Sequence, residues 1–180
     1  RHRLSGWALG VLRHFRQRRV TVSPQFPLGV ARVLEKARIT VHVAEKALLP
    51  ARQKKRPDEL RAIAIAQSAA VAGLRAATRL IASAKTDRDG RLRVCGRVLT
   101  AAAVRRVIHR TLLEHDCVGT DTIVAGGRQA ADPHCTGAGA LRAGEPIVLD
   151  IFPQHQSTGY WGDLTRTVLK GRATPELRQM

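Results

Sequence analysis

Aromatic residues, cysteines and long apolar runs are all scarce in this sequence. Aromatic side chains make up 3% of the 180 residues, which leaves few of them to stack on the bases of single-stranded nucleic acid. The three cysteines are odd in number and form no CxxC pair, which excludes a disulfide scaffold and a structural zinc knuckle and favours a reducing, cytoplasmic compartment. No stretch is long and apolar enough to span a bilayer, although the 44% of apolar residues suffice for a core.

Acidic residues are also scarce, since 14 of them stand against 31 Lys and Arg and leave a formal net charge of +17. Such an excess is typical of proteins that bind nucleic acid or an anionic surface. However, 25 of the 31 basic residues are Arg, they are scattered along the chain, and alanine is abundant. GC-rich codon usage explains this pattern at least as well as a binding patch does. An Arg-rich nucleic-acid binder is therefore kept only as a remote alternative.

Both ends of the sequence resemble cuts in a longer chain. The first residue is Arg1 rather than Met, and residues 176–180 are typical of the start of a helix. We therefore expect a fragment that is truncated at both ends. Residues 4–12 faintly resemble a signal peptide, but the arginines of segment 13–19 stand where a cleavage site should be. An amphipathic surface helix is the better interpretation.

The composition of the chain changes near residue 50, and both parts predict an α/β (α+β) architecture. Residues 1–50 contain strand candidates at 19–22 and 39–43 and a short helix at 28–37. The basic segment 51–57 has no apolar periodicity and predicts a linker between two domains.

Two helices and three strands are predicted after the linker. Pro57 and the acidic residues after it are a typical helix start, because proline suits the first turn and carboxylates complement the helix dipole. This helix is predicted to reach about Ala84, and Thr100 is predicted to cap the next one. Strands are predicted at 122–125, 147–152 and 160–169. The predicted packing face of the first helix consists of residues at three-to-four spacing, namely Leu60, Ile63, Ala64, Val71, Leu74, Thr78 and Ile81.

Asp150 and Asp163 carry the sharpest chemical signal. Asp150 lies in the run 147–152, whose other members are apolar, and such a run predicts a strand buried on both faces. Segment 160–169 predicts its antiparallel partner, and two residues an odd number of positions apart can face each other across such a hairpin. At about 4 Å, two carboxylates repel by roughly 4 kcal/mol at an effective dielectric constant of 20. A divalent cation between them reverses the sign.

Structural roles for the same two aspartates remain open. Asp150 can form an ion pair with Arg166 or with another of the many arginines. Asp163 follows Gly162 and can accept hydrogen bonds from loop amides. Spacing alone does not separate these roles from metal binding.

His134 is a candidate for contact with a substrate. It follows Asp132 and Pro133 in a loop of small residues, where a lone histidine is either solvent-exposed or functional. Its neighbour Cys135 raises the idea of a Cys/His nucleophile, but no local motif supports that idea.

Three segments resemble one enzyme family in their order and spacing. Segment 122–134 resembles the family stretch in which a strand and glycines lead to a Pro-His pair. Segment 144–150, Gly-Glu-Pro-Ile-Val-Leu-Asp, resembles the strand with the first metal-binding aspartate. Segment 159–167 resembles the strand with the second, including its Asp-x-Thr-Arg-Thr ending. These are features of the pita-bread metallopeptidases, which include methionine aminopeptidase, Xaa-Pro aminopeptidase, prolidase and creatinase.

The resemblance implies a domain organisation. Residues 1–50 are expected to be the C-terminal part of a creatinase-type amino-terminal domain, and residues 51–180 the first part of an incomplete pita-bread catalytic domain. The extra domain favours the Xaa-Pro aminopeptidase, prolidase and creatinase branch over methionine aminopeptidase. Two departures stand out: the loop between the aspartates is slightly longer than in the common family version, and residues 85–98 are an unassigned elaboration.

The resemblance also implies roles for individual residues. Asp150 would be a terminal ligand of one divalent ion, and Asp163 would bridge two such ions (Mn, Co or Zn). His134 would contact a peptide substrate with proline at its second position, whose bond a metal-bridged water attacks. The family's other ligands, one histidine and two glutamates, lie downstream of the second aspartate. We therefore expect the fragment to be inactive alone. Because dimers are common in the family, the resemblance also implies a homodimer of the full-length protein.

Two other functions stay open within the same fold. The first is a non-catalytic module that binds peptides or proteins, although retention of both aspartates argues against it. The second is creatinase-like hydrolysis of a C–N bond in a small molecule.

Overall fold

The computed structural model describes residues 3–45 and 50–179. The chain divides between Lys55 and Arg56 into two compact units. This division falls within the predicted linker 51–57, and a short 3-10 helix at Pro50–Gln53 precedes it. In the described part of the chain, no helix is long and apolar enough to cross a membrane.

The first unit combines two parallel strands with two helices. Strand β1 pairs with strand β2 in parallel, with Arg19 opposite Thr40. The predicted strands and the short helix between them are confirmed to within one residue, while residues 46–49 lie outside the described part. The elements of this unit are α1 (Arg3–His14), β1 (Arg19–Val22), α2 (Leu28–Lys36) and β2 (Thr40–Val43).

The second unit packs two long helices on an antiparallel sheet of strand order β6–β7–β8. Helix α3 packs on β7, and helix α4 packs on β6. A separate three-stranded sheet, β3–β4–β5, forms the elaboration noted at 85–98. The mixed α/β (α+β) class is therefore confirmed. The elements are α3 (Pro57–Ser83), β3 (Lys85–Thr86), β4 (Leu92–Val94), β5 (Arg97–Val98), α4 (Ala101–Leu113), β6 (Cys117–Gly126), a 3-10 helix (Gly127–Ala131), β7 (Pro146–His155), β8 (Leu164–Leu169) and α5 (Pro175–Gln179).

Small residues form the buried face of α3, so the predicted packing face is wrong. Leu60 at one end of the predicted face is 55% exposed, Leu74 is half-buried against the core, and among the residues predicted for that face only Ile81 is fully buried. Side chains of one carbon or none let the helix backbone approach its neighbours closely, and larger ones would overfill the space. The buried residues of α3 are Ala62, Ala66, Ala69, Ala70, Gly73, Ala77 and Ile81.

Strand β7 is fully buried on one face only, which corrects the prediction for 147–152. Ile147, Leu149 and Ile151 are buried in the core, whereas Val148 and Asp150 alternate with them and are half-buried. The carboxylate of Asp150 therefore lies on the more open face of the sheet. Its desolvation cost is smaller than in the core, because part of its surface remains available to water.

Candidate functional site

Asp150 is oriented by a threonine on the neighbouring strand. In the antiparallel ladder Asp150 lies opposite Thr165, whose hydroxyl donates a hydrogen bond to Asp150 Oδ1. Arg166 lies opposite Leu149 and so points to the other face, and its Nη1 donates to the carbonyl of Thr165 at 2.7 Å. Within residues 3–45 and 50–179, no ion pair reaches Asp150. The alternative pairing with Arg166 is therefore not formed.

Asp163 lies on the same face of the sheet as Asp150. The predicted hairpin forms, but β8 begins only at Leu164, so Asp163 immediately precedes the ladder. When the register is continued by one residue, Asp163 falls opposite Phe152 and diagonal to Asp150. Diagonal neighbours on one face are roughly 7–8 Å apart at their Cα atoms, still within reach of converging side chains. The sequence suggested that the two aspartates face each other directly across the hairpin. In the structure they are diagonal neighbours on one face.

The carboxylate of Asp163 has no hydrogen bond or ion pair with any residue that the structure describes. Its main chain is held instead. Gln67 of α3 donates from Nε2 to the carbonyl of Asp163 at 3.0 Å, and the amide of Asp163 donates to Gln67 Oε1 at 3.0 Å. Loop amides were the predicted alternative partners of this carboxylate, and no such bond is seen among the described residues.

His134 lies in an anchored loop at residues 127–139, which we call the His134 loop. The side chain of Asp132 accepts a hydrogen bond from the amide of His134 at 2.9 Å. Arg105 of α4 donates to the carbonyl of Gly137 at 2.9 Å, and Val124 of β6 donates to the carbonyl of Thr136 at 3.1 Å. The loop is therefore tied to the helix and to the sheet, while the His134 side chain itself is exposed.

A cavity of about 210 Å³ joins this loop to the strands that carry the aspartates. Asp150 and Thr165 line one side of it, and Asp132 and Pro133 line another. Neither His134 nor Asp163 is part of its wall: His134 directly follows Pro133 of the lining, and Asp163 lies two positions before Thr165. The complete lining is Ile123, Ala125, Ala130, Ala131, Asp132, Pro133, Val148, Asp150 and Thr165.

The two carboxylates fit part of a metal site. Both supply hard oxygen ligands of the kind that manganese and magnesium prefer, and neither is neutralised by a described basic side chain. Within residues 3–45 and 50–179, however, no group of three His, Cys, Asp or Glu side chains is arranged to hold a metal ion. A metal centre that included Asp150 and Asp163 would therefore need further ligands.

Two residues of this site, Thr165 and Gln67, were not predicted. The sequence could have indicated Thr165, because it lies two positions after Asp163 and therefore shares its face of the strand. Nothing in the sequence indicated Gln67, which lies 96 positions before Asp163 in a helix whose packing face was itself predicted wrongly.

Tyr160, the single tyrosine of the chain, provides an optical test of the contact between α3 and the segment before Asp163. Its hydroxyl donates to Glu59 Oε1 at 2.6 Å. This hydrogen bond to a carboxylate, with loss of solvation adding to it, raises the pKa of the Tyr160 phenol above its ordinary value. We expect the replacement Glu59→Gln to lower that pKa toward the ordinary range, because the negative charge is removed. Alkaline titration of phenolate absorbance measures it.

The control for this titration is Asp58→Asn, which removes a neighbouring charge that makes no hydrogen bond to the phenol and should leave the pKa nearly unchanged. Because the folded-state pKa is raised, the bond stabilises the fold below the pKa of the unfolded phenol, and that contribution is lost as pH rises through the folded value. Equal titration curves for the parent protein and Glu59→Gln would contradict the contact.

Comparisons with known proteins identify the family of this chain. The model of metallopeptidase family M24 matches residues 61–180, whereas a comparison with curated proteins gave no significant match. Among solved structures, a prolidase from Pyrococcus furiosus matches with a TM-score of 0.68 at 19% identity, over 90% of this chain and 44% of that chain. An X-Pro aminopeptidase from Thermotoga maritima matches with a TM-score of 0.72 at 18% identity, over 98% and 47%. A dipeptidase PepE from Mycobacterium ulcerans matches with a TM-score of 0.67 at 26% identity, over 89% and 40%.

The chain spans under half the length of each of these solved structures. At 18% and 19% identity, the first two likenesses show the fold alone. The family match is broader evidence, because it covers more than half of the chain, including all but the first turn of α3, the His134 loop and the strands beside both aspartates. This chain belongs to metallopeptidase family M24, and its architecture matches part of the pita-bread fold.

Proposed function

We propose that this chain is part of a metal-dependent aminopeptidase that hydrolyses the peptide bond of Xaa-Pro substrates. The observation that carries the proposal is that Asp150 and Asp163 fall on one face of the β7–β8 hairpin when its register is continued by one residue, and that Asp150 lines a cavity to which the His134 loop also contributes. Two carboxylates without basic partners are costly to hold close together unless a cation compensates them. Family M24 enzymes typically depend on two metal ions, which supplies that compensation.

Each residue then has a role in the proposed site. Asp150 and Asp163 would hold the two ions (Mn, Co or Zn), and Thr165 orients the Asp150 carboxylate through its hydroxyl. When bound, such ions lower the pKa of a water and polarise a carbonyl. His134 donates or accepts a hydrogen bond at the substrate near the scissile peptide, from a loop held by Arg105 and β6.

The choice of Xaa-Pro substrates is supported by the solved structures with a similar fold. Two of them are named a prolidase and an X-Pro aminopeptidase, and the second is matched over 98% of this chain. A match of that extent includes both units, in keeping with residues 1–50 as the end of an amino-terminal domain and 51–180 as the start of the catalytic domain. A homodimer of the full-length protein and a cytoplasmic location belong to the same proposal.

The test combines the gene with an assay. Sequence beyond the codon of Met180 is expected to encode one histidine and two strand-borne glutamates that complete the ligand set. The protein from the complete gene, loaded with Mn²⁺, is expected to cleave a peptide with proline at the second position and to ignore its alanine counterpart. Chelation should abolish the activity, and the 180-residue chain alone should have none.

Other results would point elsewhere. A gene without the three further ligands would contradict catalysis and favour a non-catalytic peptide-binding module. Hydrolysis of a small guanidino compound in place of the peptide would favour creatinase-like chemistry.

A further inference from the structure

The main chain of Asp163 is held by a single side-chain amide from a distant helix. Gln67 accepts from the amide of Asp163 and donates to its carbonyl, both at 3.0 Å. This is the pair of hydrogen bonds that a residue of an adjacent strand makes in an antiparallel ladder. Because both bonds come from one planar group, they fix the position and the orientation of the peptide groups on either side of the Asp163 Cα atom.

A close approach of the backbones fixes the same segment from a second direction. A Cβ atom on Gly162 would lie 2.7 Å from the carbonyl carbon and oxygen of Ala66 and 2.8 Å from the amide nitrogen of Gln67. The amide of Gly162 donates to the carbonyl of Pro153 in β7 at 2.9 Å. The residue before Asp163 is therefore held between α3 and β7, with no room for a side chain.

These contacts involve the main chain of Asp163 and not its carboxylate. No hydrogen bond or ion pair to it is found among residues 3–45 and 50–179. By contrast, the Asp150 carboxylate has the Thr165 hydroxyl to orient it. The direction in which the Asp163 side chain leaves the sheet is thus set by its backbone, and Gln67 sets that backbone.

We propose that Gln67 is the positioning residue of the metal-bridging aspartate. The proposal rests on the proposed function, because it takes Asp163 to be a metal ligand. Among side chains in their ordinary ionisation state at neutral pH, only the amides of Asn and Gln present a donor and an acceptor on two adjacent atoms of one planar group, as the main chain of Asp163 requires. Groups that orient a metal ligand are worth about 10–100-fold in metal affinity, and that is the loss expected when Gln67 can no longer make its two bonds.

The variants that test this keep the helix intact. Gln67→Met preserves length and helix propensity but offers no hydrogen bond to Asp163. Gln67→Asn keeps the amide but withdraws it by one carbon, and it serves if the Met variant does not fold. The matched control is Ser68→Ala, which removes a side-chain hydrogen bond to Ala64 of the same helix and no described contact to Asp163. Asp163→Asn provides the reference for loss of the ligand.

The measurement is Mn²⁺ affinity by titration calorimetry on the protein from the complete gene, with hydrogen exchange of the Asp163 amide as a second readout. We expect about 10–100-fold weaker binding and faster amide exchange in Gln67→Met while circular dichroism shows that the fold is retained, and no change in Ser68→Ala. Parent-like affinity in Gln67→Met, together with weakened binding in Asp163→Asn, would overturn the inference and leave the proposed function standing. Parent-like affinity in Asp163→Asn would overturn both.

Discussion

Replacing Asp150 by Asn is expected to lower the affinity of the protein for Mn²⁺ by at least about 100-fold, because in the proposed site the substitution removes a metal ligand, which should cost more than the 10–100-fold effect of losing a group that only orients one. Asn has nearly the same shape as Asp and can still accept from the Thr165 hydroxyl that now meets Asp150. The fold should therefore be unchanged, and the effect should come from the missing charge. Titration calorimetry of the protein from the complete gene, with circular dichroism as a check of folding, measures both.

The control for this prediction is an aspartate far from the sheet. Asp89 lies in the exposed turn between β3 and β4, where its only described ion pair is a long contact with Arg91 at 3.9 Å. Asp89→Asn removes the same charge from the molecule and should leave Mn²⁺ binding unchanged. If both variants lose the same affinity, the effect is one of net charge, and Asp150 is not a ligand.

Replacing Gly137 by Ala is expected to destabilise the second unit by about 3 kcal/mol or more, through overpacking and backbone strain together. The backbone of Gly137 has φ +80°, and a Cβ atom there would lie 1.7 Å from the carbonyl oxygen of Val124 and 2.8 Å from the Cα atom of Ala125. Those atoms belong to the backbone of β6 and cannot yield without breaking the sheet. Urea unfolding, monitored by tryptophan fluorescence, gives the change in midpoint.

Gly139→Ala is the matched control for this substitution. Gly139 lies in the same His134 loop with a similar φ of +76°, but a Cβ atom there would meet nothing within 4 Å. Gly139→Ala should lower the free energy of unfolding only by the strain of an alanine in the left-handed region, about 1 kcal/mol. Equal losses in the two variants would mean that the close contact with β6 does not form.

Local patterns in the sequence were enough to predict most of the helices and strands and to select the two aspartates of the candidate site. The start of α3 at Pro57 and the Thr100 cap of α4 are as predicted, and Thr100 Oγ1 accepts from the amide of Ala103 at 3.2 Å. The side-chain alternation of a strand also put Asp150 and Asp163 on one face, because the difference between their numbers is odd, as it is for the paired residues of the β7–β8 ladder, such as Asp150 and Thr165.

The residues through which the helices and strands pack on each other could not be predicted from local patterns in the same way. The periodicity of large apolar residues put Leu60 on the buried face of α3, yet the stripe around Ala66 and Ala69 is what packs on the core. Close backbone approach selects small residues, which carry little weight in a hydrophobicity pattern. The apolar run at 147–152 likewise suggested burial on both faces, although nothing in a single strand indicates how many layers will cover it.

The docking of segment 160–163 on α3 also sets when the peptide of Asp163 can acquire its orientation during folding. Gln67 and Asp163 are 96 positions apart, and Glu59 and Tyr160 are 101 positions apart. Contacts of such separation require closure of a long loop, and their entropic cost makes them slow compared with helix and hairpin formation. The β7–β8 hairpin can form early by itself, but the peptide of Asp163 acquires its orientation only after α3, α4 and the sheet have assembled. A nascent or partly unfolded chain would thus present two aspartates without a fixed geometry, and tight binding of a cation would report completed folding of the whole unit.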